Sequence, residues 1–170
     1  AGTGLVVGTE QLRSRLAEII GDKKEPFVAV FRISNEESVT EEVGIARINR
    51  ALASLYEATR QAFPVTGLIG ATSPTQLAVV VPNDKAGDYV SRIKTVLGSA
   101  NQSTTGRIRF VAGVFDPTAI QNKQELWGQS NVDFSRSLEF ADYASTVEGP
   151  ERNQNLQLFN TLTLSNMFTS

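Results

Sequence analysis

The sequence predicts an α+β domain in which helices flank a central, mostly antiparallel sheet of five strands. Four segments carry apolar residues at helical spacing, and five short apolar runs have the length of strands. Their order is α-β-α-β-β-α-β-α-β, and a tight turn joins the adjacent β-β pair. A split β-α-β unit combined with a hairpin favours a mixed sheet with helices packed on it.

The length fits one domain with one core, since the chain has 170 residues and 41% hydrophobic content. We assign residues 1–160 to this domain and residues 161–170 to a tail or a linker. The chain starts at Ala1 without a methionine, so we expect a piece of a longer protein. No apolar run approaches the roughly 20 residues that span a bilayer, so we expect no membrane contact by this segment.

Composition excludes several kinds of chemistry. The formal charge is −2 and the sequence pI is about 5.3, which gives no general attraction to nucleic acid. The chain has no cysteine and no histidine. Thiolate metal sites, cysteine nucleophiles, histidine bases and histidine-ligated zinc are therefore excluded. Any metal would need carboxylate ligands.

The first half of the chain predicts two helices and a buried strand. Residues 9–20 form a helix whose inner face carries Leu12, Leu16 and Ile19, and Gly21 stops it. Pro26 opens the strand FVAVFRIS, a continuous apolar run typical of a strand covered on both faces. A long helix follows from about 39 to 62. Its predicted buried stripe comprises Ile45, Ile48, Leu52 and Leu55.

A hairpin and three further elements follow. Residues 65–71 and 76–82 are strands around the Ser73-Pro74 turn, where proline at the second turn position presets φ. Asn83 is the predicted cap of a helix that runs to about 98. The remaining predictions are a strand at 107–116, a helix at about 132–146 and a short strand at 156–159. The helix predicted after Asn83 has the inner face Ala86, Tyr89, Val90, Ile93 and Val96.

The whole pattern resembles the GGDEF domain of bacterial diguanylate cyclases, a fold related to the palm of nucleotide cyclases and polymerases. Seven short matches occur in the family's order and cover nearly the whole chain. They are Thr3-Gly4-Leu5, FVAVFRIS (27–34), Gly44, LAVVVP (77–82), Gly113, Ala141-Asp142 and Arg152-Asn153.

The resemblance implies an activity whose residues are missing here. Active members make cyclic di-GMP from two GTP molecules, one on each monomer of a dimer, in a two-metal site held by carboxylates. One metal-binding Asp of the family ends the first strand, where this chain has Phe31-Arg32-Ile33-Ser34. The Asn that often follows has Asn35 as its candidate. Ser73-Pro74-Thr75-Gln76-Leu77 replaces the Gly-Gly-Asp-Glu-Phe signature.

Two further family sites are also replaced. The phosphate-contacting Lys of the last helix falls near Glu148 or Gly149. The inhibitory Arg-x-x-Asp site falls near Pro64 and Gly67, which cannot pair with phosphate or guanine.

We therefore predict a catalytically inactive, regulatory or interaction domain of a larger bacterial signalling protein linked to cyclic di-GMP. We expect it in the cytoplasm or in the cytoplasmic part of a membrane-anchored protein. The expected partners are another protein, a second copy or other domains of the same polypeptide, with no cofactor, no metal and no catalytic residue. Two alternatives stay open. One is a nucleotide sensor that uses Arg32, Ser34 and Asn35 as a vestigial cleft, and the other is a cyclase with a rebuilt site.

Other candidate residues have simpler interpretations. The acidic group Glu36, Glu37, Glu41 and Glu42 fits a solvated helix N-terminus better than a replacement metal site. Thr3-Gly4 and Gly67–Gly70 lack phosphate-loop spacing and fit turn or packing roles. Arg32 is expected to pair with a nearby Glu rather than with phosphate. Arg107 and Arg109 are expected to face solvent, and Trp127 to lie in a core, with partner anchoring as the alternative.

Overall fold

A computed structural model describes residues 7–34, 36–63, 67–102, 108–119, 133–146 and 156–159, with only the backbone for residues 36–38. The elements are as follows: α1 (Thr9–Gly21), β1 (Pro26–Ile33), α2 (Glu36–Val43), α3 (Ile45–Ala62), β2 (Leu68–Ser73), β3 (Gln76–Pro82), α4 (Tyr89–Gln102), β4 (Phe110–Phe115), α5 (Ser137–Thr146) and β5 (Leu156–Leu158). No helix within these ranges combines the length and apolar character needed to cross a membrane.

One five-stranded sheet organises the fold, with the strand order β2-β3-β1-β4-β5. Neighbouring strands are antiparallel except β4 and β5, which are parallel. The predicted fold class is thus confirmed. Strand β1 lies at the centre because its apolar run can be buried on both faces.

Two apolar clusters cover the two faces of the sheet. Helices α3 and α4 pack on one face, where Phe27, Ala29 and Phe31 of β1 point. Helices α1 and α5 pack on the other face, against Val28 and Val30. Alternate residues of β1 serve the two clusters, as the period of a strand requires.

The predicted helix from 39 to 62 is two helices. Gly44 has φ of +84° and ψ of 158°, a conformation outside the helical region, and it separates α2 from α3. Directly after the break, Ile45 is 58% exposed rather than buried. Ile48 and Leu55 are buried as expected, and Leu52 packs against the same cluster.

The helix predicted to start at Asn83 begins six residues later, at Tyr89. Residues Asn83–Lys85 form a single 3₁₀ turn, and Asp88 takes the capping role, since its Oδ1 accepts from the amide of Ser91 at 3.3 Å. This later start leaves Val90 36% exposed, against the prediction that it is buried. Tyr89 Oη donates to Asp116 Oδ2 at 2.8 Å and fastens the start of α4 to the end of β4.

The remaining boundaries differ by a few residues. Strand β2 is described from Leu68, β4 begins at Phe110 rather than at 107, and α5 begins at Ser137 after a 3₁₀ turn at Phe134–Arg136. The inner face predicted for α1 is confirmed, because Leu12, Leu16 and Ile19 are buried. The inner face predicted for the helix at about 132–146 comprises Phe134, Leu138, Ala141 and Ala144; Phe134 is partly buried and the other three are buried.

Candidate functional site

The candidate site lies at the end of the sheet where β1 stops and the β2–β3 hairpin turns. In the sheet register, Arg32 of β1 is paired with Gln76 of β3 on one side and with Val111 of β4 on the other. Residues paired across antiparallel strands point to the same face. The end of β1 therefore lies directly beside the turn that replaces the signature, although the two are far apart in sequence.

The turn is held by its own hydroxyl groups. Ser73 pairs with Gln76, so Pro74 and Thr75 are the two central turn residues, as the proline predicted. Ser73 Oγ accepts from the amide of Thr75 at 3.2 Å, and Thr72 Oγ1 donates to Gln76 Oε1 at 3.1 Å. These short-range bonds are the ordinary way in which serine and threonine stabilise turns.

Arg32 lies against α5. Its Nη1 is 3.8 Å from Asp142 Oδ1 and donates to Ser145 Oγ at 3.4 Å. The expected ion pair is present, but its acid is Asp142 rather than a glutamate. The Arg32 side chain is 23% exposed, so the pair lies at the rim of the α1/α5 face and not in the core.

Gly113 brings α5 close enough for this contact. A Cβ on Gly113 would lie 2.2 Å from both the carbonyl oxygen of Ala141 and the amide nitrogen of Ser145. Backbone atoms cannot yield at that distance, so only glycine lets the helix backbone rest on β4. This contact holds residues Ala141–Ser145 of α5 over the sheet and places Asp142 and Ser145 beside Arg32.

Opposite charges continue along α5. Burial raises the pKa of Asp142, the Arg32 guanidinium lowers it in part, and Glu139 adds to the rise. Glu139 in turn accepts from Arg13 of α1 at 2.6 Å. Two arginines on different elements thus neutralise the two acids of one helix face.

The other sequence-predicted residues that the structure describes make contacts of a different kind. The amide of Ser34 donates to the carbonyl of Arg109 at 2.9 Å and continues the β1–β4 pairing. Leu77 is buried in the α3/α4 cluster. Glu41 and Glu42 are exposed on α2, and Arg109 is exposed, as expected. Gly67 packs tightly, because a Cβ there would lie 2.9 Å from Phe63 Cβ.

Several residues singled out in the sequence lie outside the described residues: Thr3, Gly4, Asn35, Pro64, Arg107, Trp127, Glu148, Gly149, Arg152 and Asn153. The side chains of Glu36 and Glu37 are likewise not described. Within the part of the chain that the structure describes, no three acidic side chains are grouped so that they could hold a metal ion.

Sequence reasoning missed the partners of Arg32. A guanidinium at the end of a buried strand signals that an acid must be nearby. It does not reveal which of the chain's 18 acidic residues comes close, because that depends on how α5 crosses the sheet.

No family model matches the sequence, and no curated protein matches it. Solved structures do match. The GGDEF domain of YfiN (TpbB) from Pseudomonas aeruginosa has a TM-score of 0.68 at 13% identity, covering 97% of this chain and 96% of that one. The active GGEEF domain of a diguanylate cyclase from Vibrio cholerae has a TM-score of 0.60 at 13% identity, with 91% and 97% covered.

A third similar structure is the GGDEF domain of DgcB from Caulobacter crescentus in complex with c-di-GMP. It has a TM-score of 0.64 at 12% identity, and 91% of each chain is covered. Identities this low define the fold alone. The chain therefore has the fold of GGDEF domains, as its sequence resemblance predicts.

Proposed function

We propose that this chain is a GGDEF-fold domain without cyclase activity, which serves a larger bacterial signalling protein as a regulatory or interaction domain linked to cyclic di-GMP. The observation that carries the proposal is the pairing of Arg32 with Gln76 at the end of β1. A permanent cation and a neutral amide stand where the resemblance expects metal-binding carboxylates.

Charge is the first reason. A two-metal site must neutralise a triphosphate while carboxylates hold the metals. The Arg32 guanidinium is a cation and repels a divalent metal ion. The carboxylate of Asp142 is already engaged with Arg32 at 3.8 Å, and the turn from Ser73 to Gln76 offers hydroxyls and an amide only.

The shape of the turn is the second reason. The family's two glycines let the nucleotide approach the backbone closely. Pro74 lacks an N–H donor, and the Ser73 hydroxyl is occupied by the amide of Thr75. The hairpin is thus stabilised by its own hydrogen bonds. It offers a phosphate fewer backbone N–H donors than the family's glycine-containing turn.

The settings of similar structures support a role in a larger assembly. One is the S helix-GGDEF-EAL structure of LapD from Vibrio cholerae bound to c-di-GMP, with a TM-score of 0.65. Another is the diguanylate cyclase SiaD in complex with its activator SiaC, with a TM-score of 0.51. We further propose that residues 1–160 of this chain form one cytoplasmic domain, that residues 161–170 are a tail or a linker to a neighbouring domain, and that the partner is another protein or a second copy.

A turnover assay tests the proposal. The purified protein is incubated with GTP and Mg²⁺ or Mn²⁺, and products are separated by liquid chromatography with mass detection. The active Vibrio cholerae domain is the positive control. We expect no cyclic di-GMP and no linear dinucleotide. Metal-dependent formation of cyclic di-GMP would overturn the proposal and favour the rebuilt cyclase.

A nucleotide sensor is the second candidate, and the geometry around Arg32 favours it. The guanidinium is partly exposed, and its 3.8 Å separation from Asp142 is longer than a hydrogen bond. Gln76 lies directly beside it on the same face. A phosphate could therefore displace Asp142 and take donors from both side chains.

Calorimetry separates the two candidates. GTP, ATP and cyclic di-GMP are titrated into the protein and into Arg32→Met, which keeps the aliphatic stem but removes the charge. Binding that is lost in Arg32→Met supports the sensor. Absence of heat and of any thermal shift for all three nucleotides eliminates it.

A further inference from the structure

The junction between α2 and α3 carries opposite charges on its two sides. Glu41 and Glu42 lie exposed in the last turn of α2, and Arg47 and Arg50 lie exposed in the first two turns of α3. Ile45 lies between them in the chain and is 58% exposed. We refer to these five residues as the junction patch.

Three of these charges oppose the dipoles of their helices. The C-terminal end of a helix favours cations, and the N-terminal end favours anions. The break at Gly44 places Glu41 and Glu42 at the C-terminal end of α2, although the sequence predicted a helix N-terminus for them. Arg47 lies in the first turn of α3. A single copy of the domain therefore gains no stability from this arrangement of charges.

Most of the charged groups in the patch have no ion-pair partner. Glu41, Arg47 and Arg50 pair with none of the residues that the structure describes. Four other arginines in the same part of the chain each pair with an acid. The cations and the acid of the patch are thus available to charges from outside the domain.

The patch is complementary to a second copy of itself. In a two-fold symmetric contact, the same patch of both copies forms the two sides of the interface. An axis beside Ile45 would bring the Ile45 side chains of both copies together and set the acids of each copy against the arginines of the other. A partner with a uniformly acidic or uniformly basic surface would instead meet like charge on one side of the patch.

We propose that the junction patch is a self-association surface, through which two copies of this domain form a reversible, charge-dependent dimer. The proposal rests on the proposed function as an interaction domain and specifies a second copy as the partner. The patch is much smaller than the roughly 20–30 residues that each side of a standard interface contributes. We therefore expect a weak dimer, which forms when the local concentration of the protein rises.

Sedimentation at a series of protein concentrations tests the proposal with two complementary variants. Glu41→Lys/Glu42→Lys makes the patch wholly basic, and Arg47→Glu/Arg50→Glu makes it wholly acidic. Both changes match the dipoles of the helices, so both variants should fold. Each variant alone should self-associate at least about tenfold more weakly than the wild type, because like charges face each other. An equimolar mixture of the two should form a heterodimer at least as tight as the wild-type dimer.

The matched control is Lys85→Glu/Lys94→Glu, which changes the net charge as Arg47→Glu/Arg50→Glu does, at exposed residues outside the patch. It should leave the wild-type dimer unchanged. Raising the salt concentration from about 0.1 M to about 1 M should weaken the dimer, because salt screens exposed charges. Ile45→Ser should weaken it without any change of charge.

A wild-type protein that stays monomeric up to about 1 mM would overturn the proposal. A mixture of the two variants that does not associate would do the same, as would variants that each dimerise as the wild type does. Sedimentation uses no nucleotide, so a failure here leaves the absence of cyclase activity to be decided separately by the turnover assay.

Discussion

At the scale of single residues, Arg32 and Asp142 define the chemistry of the candidate site. The sequence alone shows that β1 ends in an arginine where the resemblance expects an acid. It also suggests that this cation needs a partner. The identity of that partner follows from the contact of Gly113 with the backbone of α5, because this contact decides which helix residues face β1.

The raised pKa of Asp142 predicts a pH dependence. The folded protein holds this proton more tightly than the unfolded chain, since burial raises the pKa. The group's contribution to stability is therefore full below the unfolded pKa of about 4 and is lost as the pH rises through the higher folded pKa. Relative to Asp142→Asn, the wild type should lose stability as the pH rises from below about 4 through the raised folded pKa.

Urea unfolding at a series of pH values measures this difference. The carboxylate is about half exposed, so we expect the change to stay below about 1 kcal/mol. In the Arg32→Met background the loss of stability should be larger and extend to a higher pH, because the cation that lowers the folded pKa of Asp142 is gone. A stability difference that is constant with pH, or that grows in the opposite direction, contradicts the prediction.

Gly113→Ala should be severely destabilising. The new methyl group would lie 2.2 Å from backbone atoms of α5. Backbone atoms cannot move aside by a rotamer change as a side chain can, so the helix itself would have to shift. We expect a loss of about 3 kcal/mol in the free energy of unfolding, at the upper end of the usual range for overpacking. Gly98→Ala is the control, because it adds the same methyl group to an exposed helical position and should be neutral or stabilising. Equal stability of the two variants would refute the role assigned to Gly113.

At the scale of elements, sequence periodicity predicted all five strands of the described sheet and the helices that flank it, except that α2 and α3 were predicted as one helix. It placed the boundaries of the elements less well. The spacing of apolar residues does not reveal where the backbone leaves the helical conformation. The sequence therefore did not predict the break at Gly44 or the start of α4 at Tyr89. The apolar run through Ile45 continued the helical pattern of α3, although that side chain, directly after the break, is exposed.

Gly44→Ala tests why the long helix divides. The φ of +84° and ψ of 158° at Gly44 lie in a region that side chains strongly disfavour. Although nothing lies within 4 Å of a new Cβ, we expect a loss of about 1–3 kcal/mol. Gly21→Ala is the matched control, since it too has open space but no positive φ. Denaturant unfolding measures both, and equal effects would show that conformation is not the cause.

At the scale of the whole molecule, one sheet joins two apolar clusters. Leu55 of α3 belongs to the first cluster and Leu16 of α1 to the second. Because β1 contributes alternate residues to both, neither face can unpack while the other remains intact.

This shared sheet predicts cooperative unfolding. Leu55→Ala and Leu16→Ala should each lower the free energy of unfolding by about 2–5 kcal/mol and leave one transition. The exposed Val90→Ala should change it by less than about 0.5 kcal/mol. Far-UV circular dichroism and NMR signals from each face, followed over the same urea series, should coincide. Two separated transitions in Leu16→Ala would show that the faces unfold independently.

The sequence by itself determined the fold class, the order of the elements and the absence of carboxylates from the turn and from the end of β1. These properties depend on residue type and on spacing within one element, so they can be read along the chain. The tertiary structure alone decided that Gln76 lies beside Arg32 and that Asp142 and Ser145 meet the guanidinium. Arg32 and Ser145 are 113 positions apart. The close packing of Gly113 on the backbone of α5 brings these distant residues into contact, and the spacing of residues along the chain does not reveal it.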